Sequence, residues 1–325
     1  FDGWYDGDTK VCDTTEFVVE NITTDKTYTA KFIKNLPTRS NLFSMSASSS
    51  SLISKINRDG VTNIDSNEIT AVHFVDLADY DLTNIPYSDY SATGDSSVKA
   101  WMDGTELYIG GYGKIIAGKS LAFAFMNGVK IDKITGLEML DTSNTKNMSY
   151  MFAVFGGQNS KSTLDLGGNF DTSNVTDMSH MFDNCGSGSE FTLDLGDKFN
   201  TINVTNMEGM FFGCGSKVFT LNLGDNFDTS NVTNMSSMFR ECGYSSEVFT
   251  LDLGDKFNTS KVTDMSHMFY RCGNKSGTFT TLDLSSFTIN AGTDITQFAQ
   301  DTPVTTFIFG EGWANATLPS AGSSK

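Results

Sequence analysis

Five segments of the chain repeat one another: LDTSNTKNMSYMF from Leu140, FDTSNVTDMSHMF from Phe170, FNTINVTNMEGMF from Phe199, FDTSNVTNMSSMF from Phe227 and FNTSKVTDMSHMF from Phe257. Their starts lie 30, 29, 28 and 30 residues apart. A degenerate sixth copy, FTINAGTDITQFA, begins at Phe287, and SLAFAFMNG at Ser120–Gly128 reads as a degenerate earlier one. A unit this short cannot bury its own apolar side, so each must lean on the next. The period therefore predicts a repeat solenoid.

Each unit has two readable parts. FTLDLG at Phe191–Gly196 and Phe249–Gly254, with FTLNLG at Phe219–Gly224, alternates apolar and polar residues, the pattern of a half-buried strand. Phe191, Leu193 and Leu195 are expected to point inward, and Thr192 and Asp194 outward. In VTDMSHMF the apolar residues Val175, Met178, Met181 and Phe182 sit at i, i+3, i+6 and i+7, a spacing that predicts one or two helical turns. The expectation is one parallel strand plus a short helical segment per unit of about 29 residues. The strands are placed at 164–166, 193–195, 221–223, 251–253 and 282–284 in a single sheet.

The other regions differ. ITAVHFVD (69–76) and TELYIGG (105–111) read as strands, SVKAWM (97–102) lies between them, and the Ser-rich stretch 42–56 is a short helix or a linker. VTTFIFG (304–310) reads as a closing strand, and LPSAG (318–322) as loop. The expected organisation is a partial module at 1–35, an α+β N-terminal cap at 36–119, the solenoid at 120–302, and a closing strand and polar tail at 303–325. The opening Phe-Asp-Gly-Trp-Tyr has no signal-peptide character, which suggests a piece cut from a longer chain.

The copies FDTSxVTxMxxMFxxC resemble the BspA-like leucine-rich repeat of bacterial surface proteins. The likeness is close over Leu140–Cys272 and extends to SATGDSSVKAWMDGTELYIGG upstream. Long spacers such as GSGSEFTLDLGDKF depart from the usual family repeat. FDGWYDGDTKVCDTTEFVVENITTDKTYTAKF resembles the last half of a Listeria–Bacteroides (internalin B-type) repeat, a small β-grasp-like unit. The resemblances imply a leucine-rich-repeat-like fold, a secreted or wall-displayed bacterial protein with an adhesive role, and a multi-module stalk. Neither implies catalysis.

Formal net charge is −17, which argues against nucleic acid and anionic membranes as partners. No apolar run is long enough to insert into a bilayer. Cys185, Cys214, Cys242 and Cys272 occupy one place in four successive units. Packed as a column they act as small buried hydrophobes, and a spacing of about 5 Å between neighbours also permits adjacent disulfides. A straight ladder does not converge on a metal, and the Met columns beginning Met148 and Met151 are expected to pack the core. His180 and His267 sit three units apart and His73 stands alone, so no catalytic grouping follows.

The outward strand positions are the candidate contacts. They are Thr163, Thr192, Thr220, Thr250 and Thr281 beside Asp165, Asp194, Asn222, Asp252 and Asp283, with Asp197, Asp225 and Asp255 at the corner. Such rows serve as a solvated acidic face or as a surface for a ligand. The reading is an extracellular adhesin-like protein, with neither enzyme activity nor cofactor, that binds a protein or glycan on a host or neighbouring cell. The alternative is a structural spacer without its own ligand.

Overall fold

A computed structural model describes residues 3–12, 26–31, 39–41, 52, 66–92, 94–188 and 190–313. The chain divides into two units, Phe1–Thr38 and Arg39–Lys325. In the first, β1 (Gly3–Asp6), β2 (Thr9–Cys12) and β3 (Tyr28–Lys31) form an antiparallel sheet in the order β2-β1-β3. Gly7, at φ 61°, supplies the left-handed residue in the two-residue turn between β1 and β2.

The second unit opens with β4 (Arg39–Asn41), β5 (Ala71–Asp76), β6 (Ser88–Asp89), β7 (Val98–Asp103) and β8 (Glu106–Gly111). β9 (Lys114–Ile116), β10 (Lys133–Thr135) and β11 (Leu140–Asp141) follow. A mixed five-stranded sheet has the order β10-β5-β8-β7-β6, and β11-β9-β4 is a small parallel sheet. The expected strands at 69–76 and 105–111 correspond to β5 and β8. The Ser-rich stretch lies outside the described residues apart from Leu52, and LPSAG lies outside them entirely.

In the repeat region the expected fold class is overturned. No described residue between 119 and 305 is α-helical, and the strands do not join into one leucine-rich-repeat-like sheet. They are β12 (Lys161–Asp165), β13 (Glu190–Asp194), β14 (Lys217–Asn222), β15 (Ser246–Asp252), β16 (Thr281–Leu284) and β17 (Thr306–Phe309). These form three separate two-stranded parallel sheets, β12-β13, β14-β15 and β16-β17. The described residues form a set of small separate sheets, one of them mixed, one antiparallel and four parallel, and the solenoid with helical segments is not the architecture.

Hydrogen bonding explains the missing helix. In the MSHMFDNC copy, the amides of Met178, His180, Phe182 and Asn184 donate to the carbonyls of Asn206, Glu208, Met210 and Phe212 in the next copy, at 2.6–3.0 Å. The intervening amides of Met181, Asp183 and Cys185 donate three residues back, at 3.1–3.2 Å. A helix would send every amide four residues back along its own turn. His180 and Asn184 also sit at φ 55° and 53°, and positive φ recurs at the same two places in the other copies, from Phe123 and Asn127 to Gln297 and Asp301. Left-handed residues every fourth position convert the i, i+3 spacing into consecutive tight turns.

The sheet breaks have local causes. From the repeat Cys to the following strand Phe the chain takes six residues after Cys185, five after Cys214 and seven after Cys242 and Cys272. Successive strands therefore start out of step. Among the described residues, a single bridge, Glu190↔Ser216, links β13 towards β14. Between β15 and β16, the hydroxyls of Ser276 and Thr278 both take the Phe249 amide, at 3.1 Å, and the Thr278 hydroxyl donates to the Phe249 carbonyl. Side chains thus occupy groups that a neighbouring strand would need.

The core is the invariant layer of the copies. Phe152, Phe182, Phe211, Phe239 and Phe269 are buried and stack in succession with centroids 5.3–5.7 Å apart. The ten repeat methionines beside them are fully buried. Thr142, Thr172, Thr201, Thr229 and Thr259 are buried polar exceptions, and each hydroxyl donates to a carbonyl of the following copy at 2.7–2.9 Å. That bond offsets the desolvation of the hydroxyl.

Candidate functional site

Strands β12 to β16 of the repeat region carry a Thr with an Asp or Asn on one side. Thr192, Asp194, Thr220, Asn222, Thr250, Asp252, Thr281 and Asp283 are exposed, as is Asp165, while Thr163 is half-buried. Register places Thr163 beside Thr192 and Asp165 beside Asp194, then Thr220 beside Thr250 and Asn222 beside Asp252. Thr281 and Asp283 instead face Thr306 and Ile308. The structure thus brings the candidates together in pairs rather than in one unbroken row.

The acidic member has a local task at every strand. Asp165, Asp194, Asn222, Asp252 and Asp283 each accept, through Oδ1, the amide two residues on, at 2.8–3.0 Å. This Asx turn ends the strand, and Asn serves it as well as Asp. The Ser285 hydroxyl and amide hold the Asp283 carboxyl below the ordinary carboxylate range. Where β13 and β14 part, an open cleft of about 430 Å³ is lined by Thr192, Asp194, Asp197, Asn222 and Asp225, with Leu193, Phe199 and Leu223 among its apolar walls. It brings together members of both acidic rows.

A second face was not anticipated. Around the constant Met, Met, Phe and Cys, three positions per copy change chemistry. The first runs Tyr150, His180, Gly209, Ser237, His267, the second Ala153, Asp183, Phe212, Arg240, Tyr270, and the third Val154, Asn184, Gly213, Glu241, Arg271. All are half-buried or buried at the tight turns. The signal was present in the sequence as variation inside an otherwise regular repeat.

Near its start this face is aromatic and acidic. Phe123 stacks on Tyr150 at 5.2 Å, and Tyr150 on His180 at 4.5 Å. His180 Nδ1 lies 2.8 Å from Asp183 Oδ2, and its Nε2 lies 4.0 Å from Glu208 Oε1. Burial, followed by the carboxylates of Asp183, Glu208 and Asp177, holds the Tyr150 phenol above its ordinary pKa. Gly209 completes the corner, because a Cβ there would stand 2.4 Å from the His180 ring. Farther along, Arg240 lies between the rings of Phe212 and Tyr270, at 5.4 and 5.1 Å.

The remaining candidates are separate. His73 meets Thr135 at 2.7 Å and Glu106 at 3.0 Å, and stacks on Tyr108 in the five-stranded sheet. His267 packs edge-on to Tyr270. The repeat cysteines are buried and free. Burial, reinforced by the adjacent thiols, raises Cys214, Cys242 and Cys272 well above the ordinary thiol range. Among the described residues no cluster of three or more His, Cys, Asp or Glu is arranged to hold a metal ion, and no helix is long and apolar enough to cross a membrane.

A family model described as "Mycoplasma protein of unknown function, DUF285" matches the chain twice, over residues 119–243 and 187–305. No curated protein and no solved structure matches it.

Proposed function

Because the chain belongs to this DUF285 family through more than half of its length, with the matches falling on the repeats, we propose that it is an extracellular, surface-displayed binding protein of the BspA-like kind. Its partner is a protein or glycan on a host or neighbouring cell, held non-covalently and without catalysis. The Listeria–Bacteroides-like segment at its start fits a role as one module of a longer display chain.

The observation that carries this reading is the contrast between layers of one repeat. The buried Met, Phe, Thr and Cys recur from copy to copy, while the turn-face positions pass through Tyr, His, Asp, Phe and Arg. A spacer needs only the constant layer. A constant scaffold with changing side chains on one face is how repeat proteins build a recognition surface.

The test is an array of glycans and matrix proteins probed with the purified chain, followed by adhesion of beads displaying it. Binding that is lost when turn-face residues are changed supports the proposal. Locating binding uses the double variant Asp194→Ala/Asp252→Ala on the strand face. Absence of any ligand together with non-adhesive beads establishes the spacer reading instead.

A further inference from the structure

Arg240 is held unlike any other cation on the repeat surface. Its guanidinium sits between the rings of Phe212 and Tyr270, which belong to the preceding and following copies. Its enclosed Nε meets no acceptor. Arg271, also over Tyr270 at 5.2 Å, differs in having carboxylates beside it, Glu241 at 3.9 Å and Asp301 at 3.6 Å. No carboxylate among the described residues pairs with Arg240.

A guanidinium held between two rings keeps the edge formed by its two terminal nitrogens for hydrogen bonding. That edge has the fork geometry that fits both oxygens of a carboxylate. The stacking also fixes the side chain before a ligand arrives, which lowers the ordering cost of binding. We propose that the Phe212–Arg240–Tyr270 slot is an anion subsite for the carboxylate of an acidic sugar. The proposal deepens the binding reading above and rests on it.

Charge selects the class of ligand. The chain is strongly acidic overall, and Glu241 and Asp301 lie close by around Arg271. A run of acidic residues or a polysulfated chain would set its further charges against those carboxylates. A glycan with one carboxylate per disaccharide presents a single charge to the slot and neutral hydroxyls to its surroundings, and so meets attraction without the repulsion.

The test measures binding of the full chain to immobilised oligosaccharides that carry one glucuronate per disaccharide. Their methyl esters and a polyglutamate peptide serve as parallel probes. The expected result is saturable binding to the acid form, at least tenfold weaker binding to the ester, and none to polyglutamate. Arg240→Gln weakens binding at least tenfold, Arg240→Lys restores only part of it, and Arg271→Gln has a smaller effect. Melting curves establish that the variants fold, and the ester comparison needs no substitution. Equal binding of acid and ester, wild-type binding by folded Arg240→Gln, a preference for polyglutamate, or no binding of the acid form overturns the subsite. If the chain still binds another array ligand, only the subsite fails; if it binds nothing and its beads do not adhere, the binding reading falls with it.

Discussion

Thr229→Val removes a hydroxyl while leaving side-chain volume nearly unchanged, so its effect reports the threonine ladder rather than packing. Thr229 Oγ1 donates to the Asn258 carbonyl at 2.8 Å and accepts the Asn258 amide at 2.6 Å. Thr201 donates to the Asp228 carbonyl at 2.8 Å, but the Asp228 amide is taken by Asn226. The same substitution therefore removes two inter-copy bonds at 229 and one at 201. With about 0.5–1.5 kcal/mol for the bond to the carbonyl and about 1–3 kcal/mol for the Asn258 amide left unpaired, Thr229→Val should cost ~1.5–4.5 kcal/mol and Thr201→Val ~0.5–1.5. Urea unfolding followed by circular dichroism measures both, with hydrogen exchange at the Asn258 amide as a local readout. Thr229→Ser keeps the hydroxyl and should recover most of the loss. Equal costs at the two positions, or unchanged protection of the Asn258 amide in Thr229→Val, would refute the two-bond argument.

Phe211, buried and stacked between Phe182 and Phe239, should lose ~3–5 kcal/mol on change to Ala, whereas Val218→Ala, 58% exposed, should stay within ~0.5; comparable shifts in the unfolding midpoint would contradict the packing assignment. A maleimide probe should label Cys185, Cys214, Cys242 and Cys272 only after denaturation, because all four are buried out of its reach and burial suppresses the thiolates of Cys214, Cys242 and Cys272. Failure of the denatured, unreduced chain to label them would show disulfides instead. At Asp89, burial acts to raise the carboxyl pKa, but hydrogen bonds from Ser91 and Ser96 outweigh it and leave the pKa lowered. Its contribution is therefore present above the unfolded carboxylate range and lost as pH falls through the lowered folded value. The melting difference between the wild type and Asp89→Asn should be greatest near neutrality and vanish in acid, and a difference that grows in acid would reverse the sign.

Strand location was legible because alternation needs only one face to be buried. Phe191 and Leu195 turn in, and Thr192 and Asp194 turn out, as the pattern predicts. The sheet partition was not legible, since it depends on spacers differing by one or two residues and on Ser276 and Thr278 capturing the Phe249 backbone. The helix expectation failed for a physical reason. Met178, Met181 and Phe182 face inward equally well from an α-helix and from successive turns closed three residues back. Only left-handed φ at His180 and Asn184 distinguishes the two; His and Asn tolerate it, and Gly209 and Gly213 at the same places favour it, but Tyr150, Val154, Ser237 and Glu241 in other copies hide the pattern. The Asp/Thr rows were visible as rows. Their shared task of closing Asx turns was hidden, because it depends on where each strand stops. The varied turn positions stood in the sequence as well, but variation by itself does not separate a recognition face from positions that merely tolerate change.

If the chain is the surface-displayed binder proposed above, its alternating amides would make it a stepwise extensible tether. The bonds from Met178, His180, Phe182 and Asn184 to the next copy lie along the direction in which the copies follow one another, so tension in that direction loads whole rows at once. A row either holds or lets go, and the outermost copy, with a neighbour on one side only, yields first. Each release frees about 29 residues, or roughly 100 Å of contour at ~3.4 Å per residue. A cell held through such a chain would meet a sudden pull by lengthening in increments, with the force on the distal contact relaxing at each one.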